Sequence, residues 1–110
     1  MSDLTLDLGD FIIPEPAPEQ TIAERFEAFH AQNEWVAVAL TSLAMKAKAD
    51  GRTRVGMKHL VEVLRWTYGE RTNGSEFRFD NSFTSRYARL VVEEHPELAD
   101  LFEMRKLRAA

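Results

Sequence analysis

Residues 33–68 read NEWVAVALTSLAMKAKADGRTRVGMKHLVEVLRWTY and hold the two most regular apolar patterns of the chain. In the second pattern the apolar residues recur at i, i+3, i+4 and i+7, which predicts a helix over residues 57–68 with one buried side. Its apolar residues are Met57, Leu60, Val61, Leu64 and Tyr68. In the first pattern, apolar residues cover most of the circumference, which predicts a central buried helix that Asn33 caps and that stops at Gly51.

Weaker patterns lie on both sides of this stretch. Thr21 and Glu24 have the spacing of a capping box, so we expect a first helix from Thr21 to near Asn33. A fourth helix over residues 82–94 should be capped by Asn81 or Ser82. Its predicted buried side consists of Phe83, Tyr87, Leu90 and Val91. Pro96 favours a short final helix that carries Leu98, Leu101 and Phe102.

Two short segments have the features of strands. Residues 76–80 alternate with period two, and residues 53–55 fit either a strand or a turn. The predicted fold is therefore mainly α, with four to five helices and one or two short strands.

This order of elements resembles a winged helix-turn-helix domain, in which the helix at 82–94 would be the recognition helix and the C-terminal tail a wing. The connection between Tyr68 and Ser82 has 13 residues, however, whereas a plain helix-turn-helix turn has about 3–4. A helical bundle with a minor β element explains the same order equally well.

The chain has 110 residues, which suits one domain. We place this domain at 21–110, after an acidic, Pro-rich leader at 1–20. Pro14, Pro16 and Pro18 disfavour a helix in the leader. The leader is predicted to be flexible, or else to dock on a partner or on its own domain through its apolar residues around Phe11.

Charge is distributed unevenly between the leader and the domain. Residues 1–20 carry five acidic residues and no basic one, so residues 21–110 have a net charge of +1 although the whole chain has −4. A nearly neutral domain is no strong polyanion binder by composition. It binds nucleic acid only where its basic residues converge on one face, and nine of the eleven basic residues after position 50 are arginines.

The fourth helix carries the surface that best fits DNA. Ser85, Arg86 and Arg89 lie off its apolar stripe, and arginine matches guanine and phosphate geometrically. The predicted DNA-binding residues are Arg86, Arg89, Ser85, Asn81 and Arg78. The alternative is a solvated helix face with an ion pair between Arg89 and Glu93.

Motifs of catalysis and metal binding are missing from the sequence. There is no cysteine, and His30, His59 and His95 lack the spacing of a helical metal site. No phosphate-binding glycine loop occurs, and no apolar run approaches the roughly 20 residues that cross a bilayer. We therefore expect a cytoplasmic, non-enzymatic protein without cofactor, metal or membrane contact.

Four motifs carry a resemblance to a known family. They are FxxFHxxN at 26–33, GMKHLxEVLRW at 56–66, FxFDNSFTSRYARL at 77–90 and PELAxLFE at 96–103. In these motifs the chain resembles a small uncharacterised family of bacteriophage and prophage proteins, many of them from actinobacteria. The resemblance implies a phage product in a bacterial cytoplasm, and it implies no catalytic or binding residue.

Two hypotheses of function follow. The first is a DNA-binding domain that contacts duplex DNA through the fourth helix. The second is a protein-protein interaction module that targets a host or phage protein, with residues 1–20 contributing. Self-association as a homodimer is a third alternative.

Overall fold

The computed structural model of the chain describes residues 9, 11, 12, 14, 17, 19–71 and 81–102, and for 69–71 it describes the backbone alone. The described part is mainly helical. Its elements are α1 (Ile22–Gln32), α2 (Glu34–Ala49), α3 (Met57–Arg71), a 3-10 turn (Asn81–Phe83), α4 (Thr84–Glu94) and a second 3-10 turn (Pro96–Leu98).

The capping box predicted at the start of α1 is confirmed. The Thr21 hydroxyl accepts a hydrogen bond from the Glu24 amide at 3.1 Å, and the Thr21 amide donates to the Glu24 carboxylate at 2.8 Å. Both bonds satisfy amide groups that the first turn of a helix leaves without a partner. The first helix therefore begins where the sequence predicts it.

The end of α2 also follows its sequence. Gly51 has φ of +90°, a conformation that favours glycine. The Gly51 amide donates to the Lys48 carbonyl, and the Arg52 amide donates to the Ala47 carbonyl. This pair of bonds is a Schellman motif, which closes the helix and satisfies its last carbonyls.

The segment between α2 and α3 contains residues 53–55, for which the sequence left a strand and a turn as alternatives. Among the described residues no strand is present, and this segment has a turn at Gly51, a bend at Thr53 and no regular secondary structure up to Gly56. Its amide at Val55 donates to the Leu101 carbonyl at 2.8 Å, which ties the segment to the chain after α4. A single bond of this kind makes no ladder. The strand predicted at 76–80 and the tail predicted as a wing lie outside the described residues.

The core forms between α2, α3, α4 and the second 3-10 turn. Its largest fully buried side chains are Tyr87, Leu40, Leu64, Leu98, Val36 and Val91, together with the polar Asn33. The central position predicted for α2 is confirmed, because seven of its 16 residues are buried.

The helix-turn-helix assignment is not confirmed. The helix α3 runs to Arg71, one turn further than predicted, and the next described element begins at Asn81. The nine residues between these two positions exceed the turn of about 3–4 residues that defines a plain helix-turn-helix. The architecture of the described part is a packed group of four α-helices.

Candidate functional site

Aromatic packing fixes the orientation of α4. Tyr87 and Val91 are fully buried, and Phe83 just before the helix is 5% exposed. The ring of Phe26 in α1 meets the ring of Tyr87 edge-on, with centroids 4.8 Å apart. Edge-to-face contacts of this kind add to the stabilisation from burial. The opposite side of α4 is therefore held in a fixed direction.

The buried phenol of Tyr87 lies beside a histidine of α1. Its hydroxyl lies 3.4 Å from Nδ1 of His30. Burial raises the pKa of Tyr87 well above its usual value, because the charged phenolate would lose its hydration. Tyr87 therefore stays neutral at physiological pH and acts here as a packing residue.

Four of the five predicted DNA-binding residues fall within the described part. Ser85 and Asn81 are exposed, while Arg86 and Arg89 are half-buried. Arg89 already has an interaction partner within the chain. Arg78 lies outside the described residues.

The buried side of α4 differs from the predicted one at a single residue. Phe83, Tyr87 and Val91 are buried as expected, but Leu90 is partly exposed and Ala88 is buried in its place. At 100° per residue, Ser85 and Arg89 project opposite to Tyr87, and Arg86 projects to the flank.

Other basic residues lie near the far end of α4. Lys48 donates to the Glu97 carbonyl at 2.7 Å, which places it beside the second 3-10 turn. Lys48 and Arg52 line a cleft of about 220 Å³ together with Glu97 and Asp100. Because this cleft mixes both signs of charge, it does not extend a basic surface from Arg86.

Metal and membrane sites are not found in the part of the chain that the structure describes. No group of three or more histidine or acidic side chains there is arranged to hold a metal ion. Similarly, no helix there is long and apolar enough to cross a membrane.

A second site is built around Asn33, the single residue between α1 and α2. Its side chain is fully buried, and the oxygen accepts from the Ile12 amide at 2.7 Å. The side-chain nitrogen donates to the Ile12 carbonyl at 2.6 Å and to the Phe29 carbonyl at 2.9 Å. Asn33 therefore pairs with the backbone of the leader and closes the end of α1. Asn33 is the N-cap residue of α2, as predicted, but its side chain makes no capping hydrogen bond to that helix.

Three aromatic side chains stand beside Asn33 and hold Phe11. The Phe11 ring makes edge-on contacts with Phe29, Trp35 and Tyr68 at centroid distances of 5.5, 6.5 and 6.0 Å. Trp35 and Tyr68 stack on each other at 5.7 Å, and the Tyr68 hydroxyl accepts from the Phe11 amide at 3.3 Å. We call Phe29, Asn33, Trp35 and Tyr68 the aromatic cradle.

Gly9 passes close to the aromatic cradle. A Cβ at this position would lie 2.5 Å from Cδ1 of Trp35, a distance that real side chains do not reach. The approach of the backbone to the indole ring therefore requires glycine here.

The cradle was not foreseen as a site from the sequence. In the sequence Asn33 has the position of a helix cap, and Tyr68 belongs to the apolar stripe of α3. One signal in the sequence is the apolar character of the leader around Phe11, which is compatible with docking on its own domain. Of that leader, Phe11 and Ile12 contact the domain in the structure.

Comparisons with known proteins give no further guidance. No protein-family model, no curated protein and no solved structure matches the chain significantly. The resemblance to bacteriophage proteins therefore stays a prediction.

Proposed function

We propose that the protein is a non-enzymatic DNA-binding protein that contacts duplex DNA with the outer side of α4. The observation that carries this proposal is the anchoring of α4 by Tyr87 and Val91, which are fully buried. Ser85 and Arg89 project from the opposite side, and Arg86 lies on its flank. A hydroxyl and two guanidinium groups then share the N-terminal half of one helix.

These side chains match the chemistry of duplex DNA. Arginine donates two parallel hydrogen bonds to guanine, and hydroxyl groups contact phosphates. Recognition helices contact base edges mainly through their N-terminal residues. The acidic Glu93 projects on the same side as Arg89 and lies about 6 Å beyond it along the axis, and about 12 Å beyond Ser85. The negative charge is therefore nearest to Arg89 and farthest from Ser85, so the proposed contact lies towards the N-terminal end of the helix.

The test is the binding of the full chain to mixed-sequence duplex DNA across a salt series. We expect binding whose logarithm falls linearly with the logarithm of salt concentration. Arg86→Ala and Arg89→Ala should each weaken binding. A lost phosphate contact lowers the salt slope by about 1, and a lost base contact costs about 1–3 kcal/mol in preferred sequences.

Arg65→Ala is the matched control, because Arg65 is an arginine of α3 that pairs with Glu62 at 2.8 Å. This variant should bind DNA like the wild type. If Arg86→Ala and Arg89→Ala bind like Arg65→Ala while their melting curves stay native, α4 is not the DNA-contacting helix. Absence of any binding at low salt would refute the proposal as a whole.

A second candidate function, binding of a host or phage protein, is favoured by one observation. Trp66 on α3 is 71% exposed, and Val38 on α2 is 60% exposed. Tryptophan is enriched among the residues that dominate protein interfaces. Affinity capture from host lysate with wild type and Trp66→Ala tests this candidate, and equal recovery of the same protein by both would exclude Trp66 from the interface.

A further inference from the structure

We propose that the aromatic cradle is a peptide-binding site and that Gly9, Phe11 and Ile12 of the chain occupy it as an internal ligand. The ligand class is an extended protein segment with glycine, any residue and phenylalanine in sequence. A partner protein that presents such a segment would bind by displacing the leader. This site is independent of the proposed DNA contact on α4.

The first argument is that the cradle recognises the backbone of its ligand. Asn33 pairs with both the amide and the carbonyl of Ile12, at 2.7 and 2.6 Å. An extended strand offers the same donor and acceptor to its neighbour in a sheet. Ile12 is 44% exposed, whereas its backbone amide and carbonyl are both hydrogen-bonded to Asn33. The cradle therefore recognises Ile12 mainly through its backbone.

The second argument is that two further positions give the site its selectivity. Phe11 inserts its ring among Phe29, Trp35 and Tyr68, with all three centroids within 6.5 Å. Gly9 is required because a Cβ would collide with Trp35 at 2.5 Å. A ligand therefore needs an aromatic residue two positions after a glycine, and an amide hydrogen at the position that follows.

The third argument is that Phe11 and Ile12 are incompletely buried, which suits a ligand that exchanges. Phe11 stays half-buried in the cradle, and Ile12 contributes mainly its backbone. A short tether raises the effective concentration of its segment to about the millimolar range, so even a weak ligand remains bound. A separate segment with similar contacts and higher affinity then competes effectively.

The experiment measures binding of a labelled peptide, residues 5–18 of this sequence, to full-length protein by fluorescence anisotropy. The proteins are wild type, Phe11→Ala and Gly9→Ala, since either substitution weakens the internal ligand and leaves the four cradle residues unchanged. We expect saturable binding to both variants. Binding to wild type should be roughly tenfold weaker, because its own leader competes at an effective concentration well above the peptide's Kd.

Matched peptides distinguish specific recognition by the cradle from non-specific hydrophobic binding. The Ile12→Ala peptide keeps the backbone groups and should bind as tightly as the wild-type peptide. The Ile12→Pro peptide lacks the amide hydrogen that Ile12 donates to the Asn33 side-chain oxygen. The Gly9→Ala peptide carries a Cβ that would collide with the Trp35 ring. Both should bind at least tenfold more weakly.

Three results would overturn the proposal. One is no saturable binding to either folded variant, with folding checked by circular dichroism. Another is equal binding of the wild-type, Gly9→Ala and Ile12→Pro peptides. The third is loss of folding in both variants, which would make Gly9, Phe11 and Ile12 a fixed part of the core instead of an exchangeable ligand.

Discussion

Replacing Asn33 by aspartate changes one buried atom from a donor to an acceptor at almost constant volume. In the native protein the side-chain nitrogen of Asn33 donates to the carbonyls of Ile12 and Phe29, at 2.6 and 2.9 Å. In Asn33→Asp a carboxylate oxygen would face both carbonyls, and it would repel them. We therefore expect a large loss of stability at neutral pH.

The magnitude follows from the two donated bonds and the burial. Each lost bond that leaves a buried group unsatisfied costs about 1–3 kcal/mol. The Ile12 carbonyl is near the surface and can be hydrated in part, so the lower half of the range applies to it. Partial desolvation of the carboxylate adds to this, and we expect a total of about 3–5 kcal/mol at pH 7.

The stability of Asn33→Asp should also depend on pH in a direction that distinguishes this explanation. Burial beside two carbonyls raises the pKa of the introduced carboxyl group above its value of about 3.9 in the unfolded chain. Its stabilising protonated form is fully present below the unfolded pKa and is lost as pH rises through the folded pKa. Relative to wild type, Asn33→Asp should therefore regain stability on acidification from pH 7 towards pH 4.

Urea unfolding of the full chain at pH 7, 5 and 4 measures this effect. Asn81→Asp is the matched control, because Asn81 is exposed, and we expect it to change stability by less than about 0.5 kcal/mol. Equal stability of Asn33→Asp and wild type at pH 7 would refute the buried pairing with Ile12 and Phe29. A difference that is large but independent of pH would refute the assignment of the raised pKa.

Two further predictions concern the core. Burial raises the pKa of Tyr87, so the contribution of its neutral phenol to stability is present below about pH 10 and lost as pH rises further. Tyr87→Phe should therefore cost about 1 kcal/mol at pH 7 but lose less stability than wild type above pH 10. Urea unfolding across this pH range measures the difference, and parallel pH curves for the two proteins would contradict the prediction. Leu64 is fully buried whereas Trp66 is 71% exposed. Leu64→Ala should therefore lower the free energy of unfolding by about 2–5 kcal/mol, and Trp66→Ala should lower it by less than about 1 kcal/mol. Similar urea unfolding midpoints for the two variants would contradict the orientation of α3 described above.

The helices could be predicted from the sequence because each has a local signal. The capping box at Thr21 and the stop at Gly51 act over fewer than eight residues, and the apolar stripe of α3 lies within the 12 residues from Met57 to Tyr68. Such signals depend on neighbouring residues and do not need the rest of the fold. Helix ends were less accurate, as the extra turn of α3 shows.

The aromatic cradle could not be predicted, since it depends on contacts distant in sequence. The pairs Asn33–Ile12 and Phe11–Tyr68 are separated by 21 and 57 residues. Asparagine before a helix is a common cap, and the buried partner that changes its role comes from another part of the chain. The strand alternative at 53–55 is not realised for a related reason, because a segment becomes a strand only with a partner that supplies several bonds.

The span between Phe11 and Tyr68 also has a consequence during synthesis of the protein. Phe11 leaves the ribosome before the helices do, and the Tyr68 hydroxyl that accepts from the Phe11 amide is made 57 residues later. At about 5–20 residues per second this delay lasts roughly 3–11 seconds. A helix of 11 residues such as α1 is only marginally stable in isolation, so the cradle is complete only once α3 has been made. During those seconds Phe11 lacks part of its binding site, and a chaperone or a neighbouring chain on the same messenger can meet it before its own domain does.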